Sequence, residues 1–321
     1  MGDRLPVVVV TGFLGSGKTT LLSRLLGRPE LGETAVIVNE LGEVAIDHHL
    51  LRRVDERTVL LANGCLCCTL RGDLADELRD LLSRRTRGEI PPFRRVLVET
   101  TGLADPAPVL NTVLTEPVVQ HHFEPGAVIA TVDGLNGNGQ LDREEETVKQ
   151  VLVADRLVVT KADVAERGAV EDLVERLRGL NPAADLLEAS FGEADPALLL
   201  APGSLDPRGL RLPAEPPRHA DVHPFVLFLD RPVDWTAFGI WLTMLLASRG
   251  ADILRVKGLL NVGAPGPVVL NGVQHVVHPP RHLDAWPDED RRSRIVFIAR
   301  GVGKREVEES LAAFEAAARG S

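Results

Sequence analysis

VVVVTGFLGSGKTT spans residues 7–20, and its reading decides the fold. Four valines in succession suit a strand buried on both faces of a parallel sheet, where the alternation of a half-solvated strand is absent. GFLGSGKT (12–19) follows at once and matches G-x-x-x-x-G-K-[ST], and helical spacing of apolar residues continues over 17–27. Strand, glycine-rich turn and helix in this order form a phosphate cradle. Gly12, Gly15 and Gly17 let backbone N–H groups close around phosphate oxygens while the helix N-terminus adds its positive end. Lys18 reaches the outer phosphates, the Thr19 hydroxyl suits Mg²⁺, and Ser16 and Thr20 complete the expected nucleotide-binding set. A bland glycine turn is the alternative, disfavoured because motif and context agree.

Working outward, AVIV (35–38), RVLVE (95–99), AVIATVD (127–133) and RLVVT (156–160) read as further buried strands. Helical spacing covers 72–85, 143–152 and 164–179, the last through Val170, Leu173, Val174 and Leu177. The alternation predicts an α/β fold, a P-loop NTPase domain over 1–195 with a mostly parallel sheet covered on both faces. Composition then turns proline-rich and loses periodicity, so 196–221 reads as a linker. After it come a strand at 223–230, a helix at 234–248, strands near 252–262, 267–271, 274–278 and 294–299, and a helix at 304–318. That pattern predicts a smaller C-terminal α+β domain over 222–321.

The chain of 321 residues carries 36 Lys and Arg against 46 Asp and Glu, a formal net charge of -10. Its average field repels nucleic acid and anionic membranes. No apolar stretch approaches the roughly 20 residues of a membrane span, and the N-terminal apolar run is too short for a signal peptide, so a cytoplasmic protein is expected.

TKAD (160–163) closes the fifth strand. Asp163 can accept from the two ring donors of guanine while the Lys161 stem stacks on the base, favouring GTP over ATP; a helix N-cap role for Asp163 is the alternative. VLVETTG (96–102) ends a strand on Glu99, placed to hold Mg²⁺ through water or to orient the attacking water, with the Gly102 N–H available to the γ-phosphate. A solvated strand-end carboxylate is the bland reading of Glu99.

All three cysteines, Cys65, Cys67 and Cys68, fall within GCLCC. Inert packing, a redox pair and a metal site are the alternatives. Packing suits a glycine-bounded turn after a strand poorly, and the adjacent Cys67 and Cys68 can close only a strained disulfide ring. C-x-C-C on a tight turn can bring three thiolates to Zn²⁺, Cu(I) or Co²⁺ and leave a fourth position open. NELGEVAIDHHLL (39–51) holds Glu40, Glu43, Asp47, His48 and His49 where P-loop GTPases carry a nucleotide-responsive switch. Its acids, Glu40 foremost, can approach Mg²⁺ or complete the metal site, or face solvent; the histidines read as solvated loop residues.

Together GFLGSGKTT, NELGEVAIDHH, NGCLCCTLRGDL, ETTGLADPAP, ADRLVVTKAD and LNPAA resemble the CobW-like family of P-loop GTPases, whose members are nucleotide-dependent metal chaperones or metal-insertion proteins. The resemblance continues through RVKGLLNV, NGVQHVVHPP and WPDEDRRSRIVFIARG. It implies phosphate and Mg²⁺ binding by Lys18 and Thr19, a second nucleotide motif over Glu99–Gly102, guanine reading by Lys161 and Asp163, and thiolate ligation by Cys65, Cys67 and Cys68. Thr160 stands where GTPases in general carry Asn. The histidine tract of several relatives is represented here by His219 and His223 alone, which argues against metal storage.

The resulting expectation is a slow GTPase that uses Mg²⁺, binds Zn²⁺ or Co²⁺ in a nucleotide-dependent way, and passes it to a client metalloprotein, with a nucleotide-dependent dimer as a further expectation. A regulatory GTPase with a permanent structural zinc and a P-loop enzyme phosphorylating a small molecule are the rivals. His275 and His278 read as framework histidines or as client contacts.

Overall fold

The computed structural model describes residues 4–40, 59–64, 70–191, 193–200 and 222–319, with the backbone alone at 39–40, 59–64, 70–73 and 318–319. Two compact units result, Met1–Glu175 with Ala184–Ser204, and Arg176–Ala183 with Leu205–Ser321. Cys65, Cys67, Cys68, Glu43, Asp47, His48, His49, His219 and most of the predicted linker lie outside the described residues.

In the first unit the described strands are β1 (Leu5–Gly12), β2 (Thr34–Glu40), β3 (Val59–Gly64), β4 (Arg95–Glu99), β5 (Phe123–Asp133), β6 (Arg156–Thr160) and β7 (Asp185–Glu188). They form one sheet in the order β3-β2-β4-β1-β5-β6-β7. Each described neighbouring pair is parallel. The connecting helices are α1 (Lys18–Leu26), α2 (Leu70–Thr86), α3 (Ala107–Thr115), α4 (Val119–His122), α5 (Gly137–Arg143), α6 (Glu145–Val153), α7 (Arg167–Leu180) and α8 (Pro196–Leu200).

The four valines behave as their continuity predicts. Val7, Val8, Val9 and Val10 are each no more than 4% exposed. Val8 and Val10 join Leu21, Leu22 and Leu25 of α1 in one apolar cluster, while Val7 and Val9, one residue out of phase, supply the other face. Burying each such side chain is worth about 1.5–3 kcal/mol. β1 is thereby fixed between β4 and β5, and its last residue, Gly12, delivers the glycine loop to the C-terminal edge of the sheet, where open α/β sheets bind ligands.

The predicted linker begins too early. Pro196–Leu200 is helical, and Leu199 is fully buried in the cluster that holds Val8 and Leu22. Its flanking prolines conceal an apolar anchor that composition alone reads as linker.

The second unit is an antiparallel sheet of β8 (Val222–Leu229), β9 (Ile253–Leu260), β10 (Val268–Val273), β11 (Val276–Val277), β12 (Arg281–His282) and β13 (Ser293–Arg300). The order is β11-β10-β9-β13-β8, with β12 on β10. α9 (Trp235–Arg249) is capped by Asp234, whose carboxylate accepts from the Ala237 N–H at 2.8 Å, and it packs beside α10 (Lys304–Arg319). Phe238, Trp241 and Leu246 of α9 and Leu311 of α10 close over Phe225, Val256, Ile295 and Phe297, with Phe225 and Phe297 stacked at 5.4 Å. The strand predicted at 274–278 is cut to two residues because Gln274 takes a left-handed turn conformation, φ 51°.

Candidate functional site

Four strand ends converge at the C-terminal edge of the parallel sheet. Register pairs Val10 with Glu99, Gly12 with Thr131, and Asp133 with Thr160, so β1, β4, β5 and β6 finish side by side. The glycine loop stands on this platform. Gly12 has φ 140°, and a Cβ there would lie 2.2 Å from Thr131 Oγ1 and 2.5 Å from the Thr131 carbonyl oxygen. Gly17, at φ 90°, occupies the N-cap of α1 with no side-chain cap, which leaves the helix N–H groups open to an anion.

Hydroxyls pin the loop from beneath. Thr100 Oγ1 donates to Thr11 Oγ1 at 2.9 Å, and Thr131 Oγ1 donates to the Thr11 carbonyl at 3.3 Å. Ser16 and Thr131 hydroxyls lie 2.6 Å apart, and since the Thr131 proton points to Thr11, Ser16 is the donor. Thr160 Oγ1 donates to the Ser16 carbonyl at 2.6 Å. Two sequence expectations gain detail here. The fully buried Ser16 side chain is a strut of the loop, and the hydroxyl of Thr160 ties the TKAD segment to the glycine loop without the amide that Asn would bring. Thr20, on the first turn of α1, is exposed.

Lys18 is 9% exposed, and its ammonium donates to the Gly12 and Phe13 carbonyls at 2.8 and 3.2 Å. Burial pushes its pKa down, and the nearby Glu99 carboxylate opposes that shift. A buried cation held by neutral carbonyls beside a ring of loop amides is a site that gains from an anion. Glu99 is 4% exposed and accepts from the Thr19 hydroxyl at 2.8 Å. The solvated reading of Glu99 is thus set aside: a hydroxyl and a carboxylate within hydrogen-bond reach form a hard-oxygen pair suited to Mg²⁺.

On the other flank Lys161, left-handed at φ 56°, donates from Nζ to Asp133 Oδ2 at 2.7 Å. Burial works against the charge on Asp133, yet hydrogen bonds from Lys161, Asn136 and the Leu135 amide hold its carboxyl below the ordinary range. Asp163 Oδ1 accepts from the Phe191 N–H at 3.1 Å, so its carboxylate bridges towards the loop after β7 rather than capping its own segment. Phe191 is 71% exposed. Asp133, Thr131, Thr11 and the Ser190–Phe191 loop escaped the sequence reading; an acid closing the AVIATVD strand, beside TKAD in the sheet, is the one signal that pointed to Asp133.

Glu40 is placed by its backbone: it ends β2 opposite Gly64, the residue before Cys65. Among the described residues no cluster of three or more His, Cys, Asp or Glu side chains suits a metal. His275 Nδ1 lies 2.9 Å from the Leu246 carbonyl, and His278 Nδ1 lies 3.1 Å from Asn271 Nδ2, contacts that favour the framework reading. Among the described residues no helix is long and apolar enough to cross a membrane.

Residues 6–188 match the CobW/HypB/UreG nucleotide-binding domain, and residues 222–315 match the cobalamin synthesis protein cobW C-terminal domain. The zinc chaperone YjiA of Escherichia coli is 34% identical over 315 residues, covering 96% of this chain and 98% of that protein. The zinc chaperone CobW of Pseudomonas aeruginosa is 32% identical, covering 92% of this chain and 87% of its own length. A crystal structure of Zn(II)-bound YjiA GTPase from E. coli superposes with a TM-score of 0.74 at 30% identity, over 98% of this chain and 99% of that one. With both segments matched in order on the described fold, the chain belongs to the CobW-like family of P-loop GTPases.

Proposed function

We propose that this GTPase is a zinc metallochaperone that takes up Zn²⁺ in one nucleotide state and yields it to a client metalloprotein in the other. The observation that carries the reading is the register of β2 on β3. Glu40 lies opposite Gly64, and Cys65 is joined to Gly64 by one peptide bond, so the thiol motif starts from the same sheet edge as the glycine loop. β3 is three strands from β1, about 14 Å at the usual spacing. The ligand set proposed is Cys65, Cys67 and Cys68 with Glu40, soft thiolates that suit Zn²⁺ and also Co²⁺.

GTP with Mg²⁺ fits the same edge, at the end of β1. Gly12, Gly15, Ser16, Gly17 and Lys18 would surround the phosphates, Thr19 and Glu99 would hold the metal, and Lys161 and Asp163 would read the base, with Thr160 holding that segment to the loop. Bound Mg²⁺ supplies charge neutralisation across the phosphates during hydrolysis to GDP and phosphate. Lys18 stabilises the same charge, Glu99 orients water, and Gly102 presents its N–H to the γ-phosphate. No arginine is assigned to the transferred group, consistent with slow turnover. Coupling between the nucleotide and metal sites of about 1–3 kcal/mol changes zinc affinity roughly 5- to 150-fold.

The test is a competition titration of Zn²⁺ and Co²⁺ against a chromogenic chelator, with Mg²⁺ and a non-hydrolysable GTP analogue and again with Mg²⁺ and GDP. One metal per chain, tight in the GTP-like state and lost in Cys65→Ser and Cys68→Ser, is the expected result. Equal affinity in both nucleotide states would remove the carrier and leave a GTPase with a structural zinc.

A further inference from the structure

α6 lies against β1 and β5, and Gln150 on it is 2% exposed. Its amide nitrogen donates to two backbone carbonyls, Gly102 at 3.1 Å and Ala104 at 3.0 Å. Both protons of the amide are used, one per carbonyl, while Oε1 is buried without a hydrogen-bond partner among the described residues. An aliphatic side chain would fill this position without that polar cost, so the amide is accounted for by the loop it holds.

The loop is held at a second point. A Cβ on Gly102 would sit 2.7 Å from the Leu14 nitrogen and 2.6 Å from Leu14 Cδ2, so the Gly102 backbone rests directly on the tip of the glycine loop. Glycine has more backbone freedom than any other residue, and here that freedom is restricted by Leu14 on one side and by Gln150 on the other.

We propose that Gln150 is a positioning residue of GTP hydrolysis: its amide latches the Gly102–Ala104 segment against the glycine loop and so aims the Gly102 N–H at the γ-phosphate. The proposal rests on the reading of Gly102 as the γ-phosphate contact. GDP lacks that phosphate, so the latch acts on the discrimination between GTP and GDP and on kcat, and leaves GDP binding alone.

The experiment compares wild type, Gln150→Leu, Gln150→Glu and Gly102→Ala by steady-state GTP hydrolysis and by titration with GDP and a non-hydrolysable GTP analogue. Gln150→Leu is expected to lower kcat and the analogue-to-GDP affinity ratio about tenfold each, the scale of one net hydrogen bond, with GDP affinity within twofold of wild type. In Gln150→Glu an ionised carboxylate would face two carbonyl oxygens, whereas the protonated acid can donate to one of them. Its kcat should therefore recover relative to wild type as pH is lowered from 8 towards 6, a response that a packing defect does not produce.

Unchanged kcat and affinity ratio in both Gln150 variants, or loss of GDP binding in both, would overturn the latch. Gly102→Ala separates the two readings. If it leaves the ratio intact, the γ-phosphate role of Gly102 fails and the latch with it; if it abolishes discrimination while the Gln150 variants keep it, the latch alone fails.

Discussion

Thr160→Val tests whether a hydroxyl, at a position where GTPases in general carry Asn, tethers the TKAD segment to the glycine loop. Thr160 is 3% exposed, and its one proton is shared unequally between the Ser16 carbonyl at 2.6 Å and the Val132 carbonyl at 3.2 Å. Valine fills nearly the same space, so the cavity contribution is small and the loss is electrostatic. Removing the donor leaves the buried Ser16 carbonyl short of a partner, at a cost of about 1–3 kcal/mol. Because Ser16 lies inside the loop that meets phosphate, the cost falls on loop order and is charged against nucleotides with or without a γ-phosphate. Affinity for GDP and for a GTP analogue should therefore fall together, about 5- to 150-fold, with kcat at saturating GTP largely kept. The melting temperature should drop by roughly 2–10 °C. Titration calorimetry with both nucleotides and a thermal melt provide the readouts, and Thr160→Ser, which keeps the donor, is the control expected to stay near wild type. A Thr160→Val protein that binds GDP within twofold of wild type and melts normally would refute the tether.

Two further substitutions probe the same edge. Gly12→Ala should weaken GDP binding at least 30-fold, because its Cβ would run into the Thr131 hydroxyl and carbonyl, whereas Gly15→Ala, with nothing within 4 Å, should pay only the left-handed backbone cost of about 1–2 kcal/mol; fluorescence titration of the pair checks the contrast. For Asp133 the depressed folded pKa means that its stabilisation is present above the unfolded value near pH 4 and is lost as pH falls below it through the folded value. Asp133→Asn should therefore flatten the acid limb of the stability curve and cost about 1–3 kcal/mol at neutral pH through the lost Lys161 pair, measured by urea denaturation across pH.

What the sequence made legible is what local chemistry dictates. Continuous apolar runs give doubly buried strands wherever they occur, so β1, β4 and β6 were readable, and a phosphate loop is written within eight consecutive residues. α5 (Gly137–Arg143) was not readable because two glycines and four polar residues leave no apolar period, and α8 was lost among prolines. The supporting half of the site was hidden for another reason. Thr11, Thr131 with Asp133, and Gln150 come from three separate elements, β1, β5 and α6, and none sits in a motif of its own. Their roles exist only because the sheet order sets β1 between β4 and β5, and that order is a property of the whole chain.

The same order bears on how two distant sites can share energy. In sequence the thiol motif follows β3 and precedes β4, yet in the sheet β4 is inserted between β2 and β1. Val38 and Val10 therefore both pair with Glu99, one on each side, and the segment leaving β4 starts midway between the strand that ends on Glu40 and the strand that ends on the glycine loop. A γ-phosphate can bias that segment only through groups it treats differently from GDP, and Gly102 is such a group. On the proposed reading, displacement of Gly102–Ala104 is the first step that a metal-bearing edge two strands away could feel. A Gln150 latch would then stand upstream of zinc affinity as well as of hydrolysis. If so, Gln150→Leu should narrow the difference in zinc affinity between the GTP-like and GDP states, and zinc's own effect on the analogue-to-GDP affinity ratio should shrink by the same factor, because a coupling free energy is reciprocal between its two ligands.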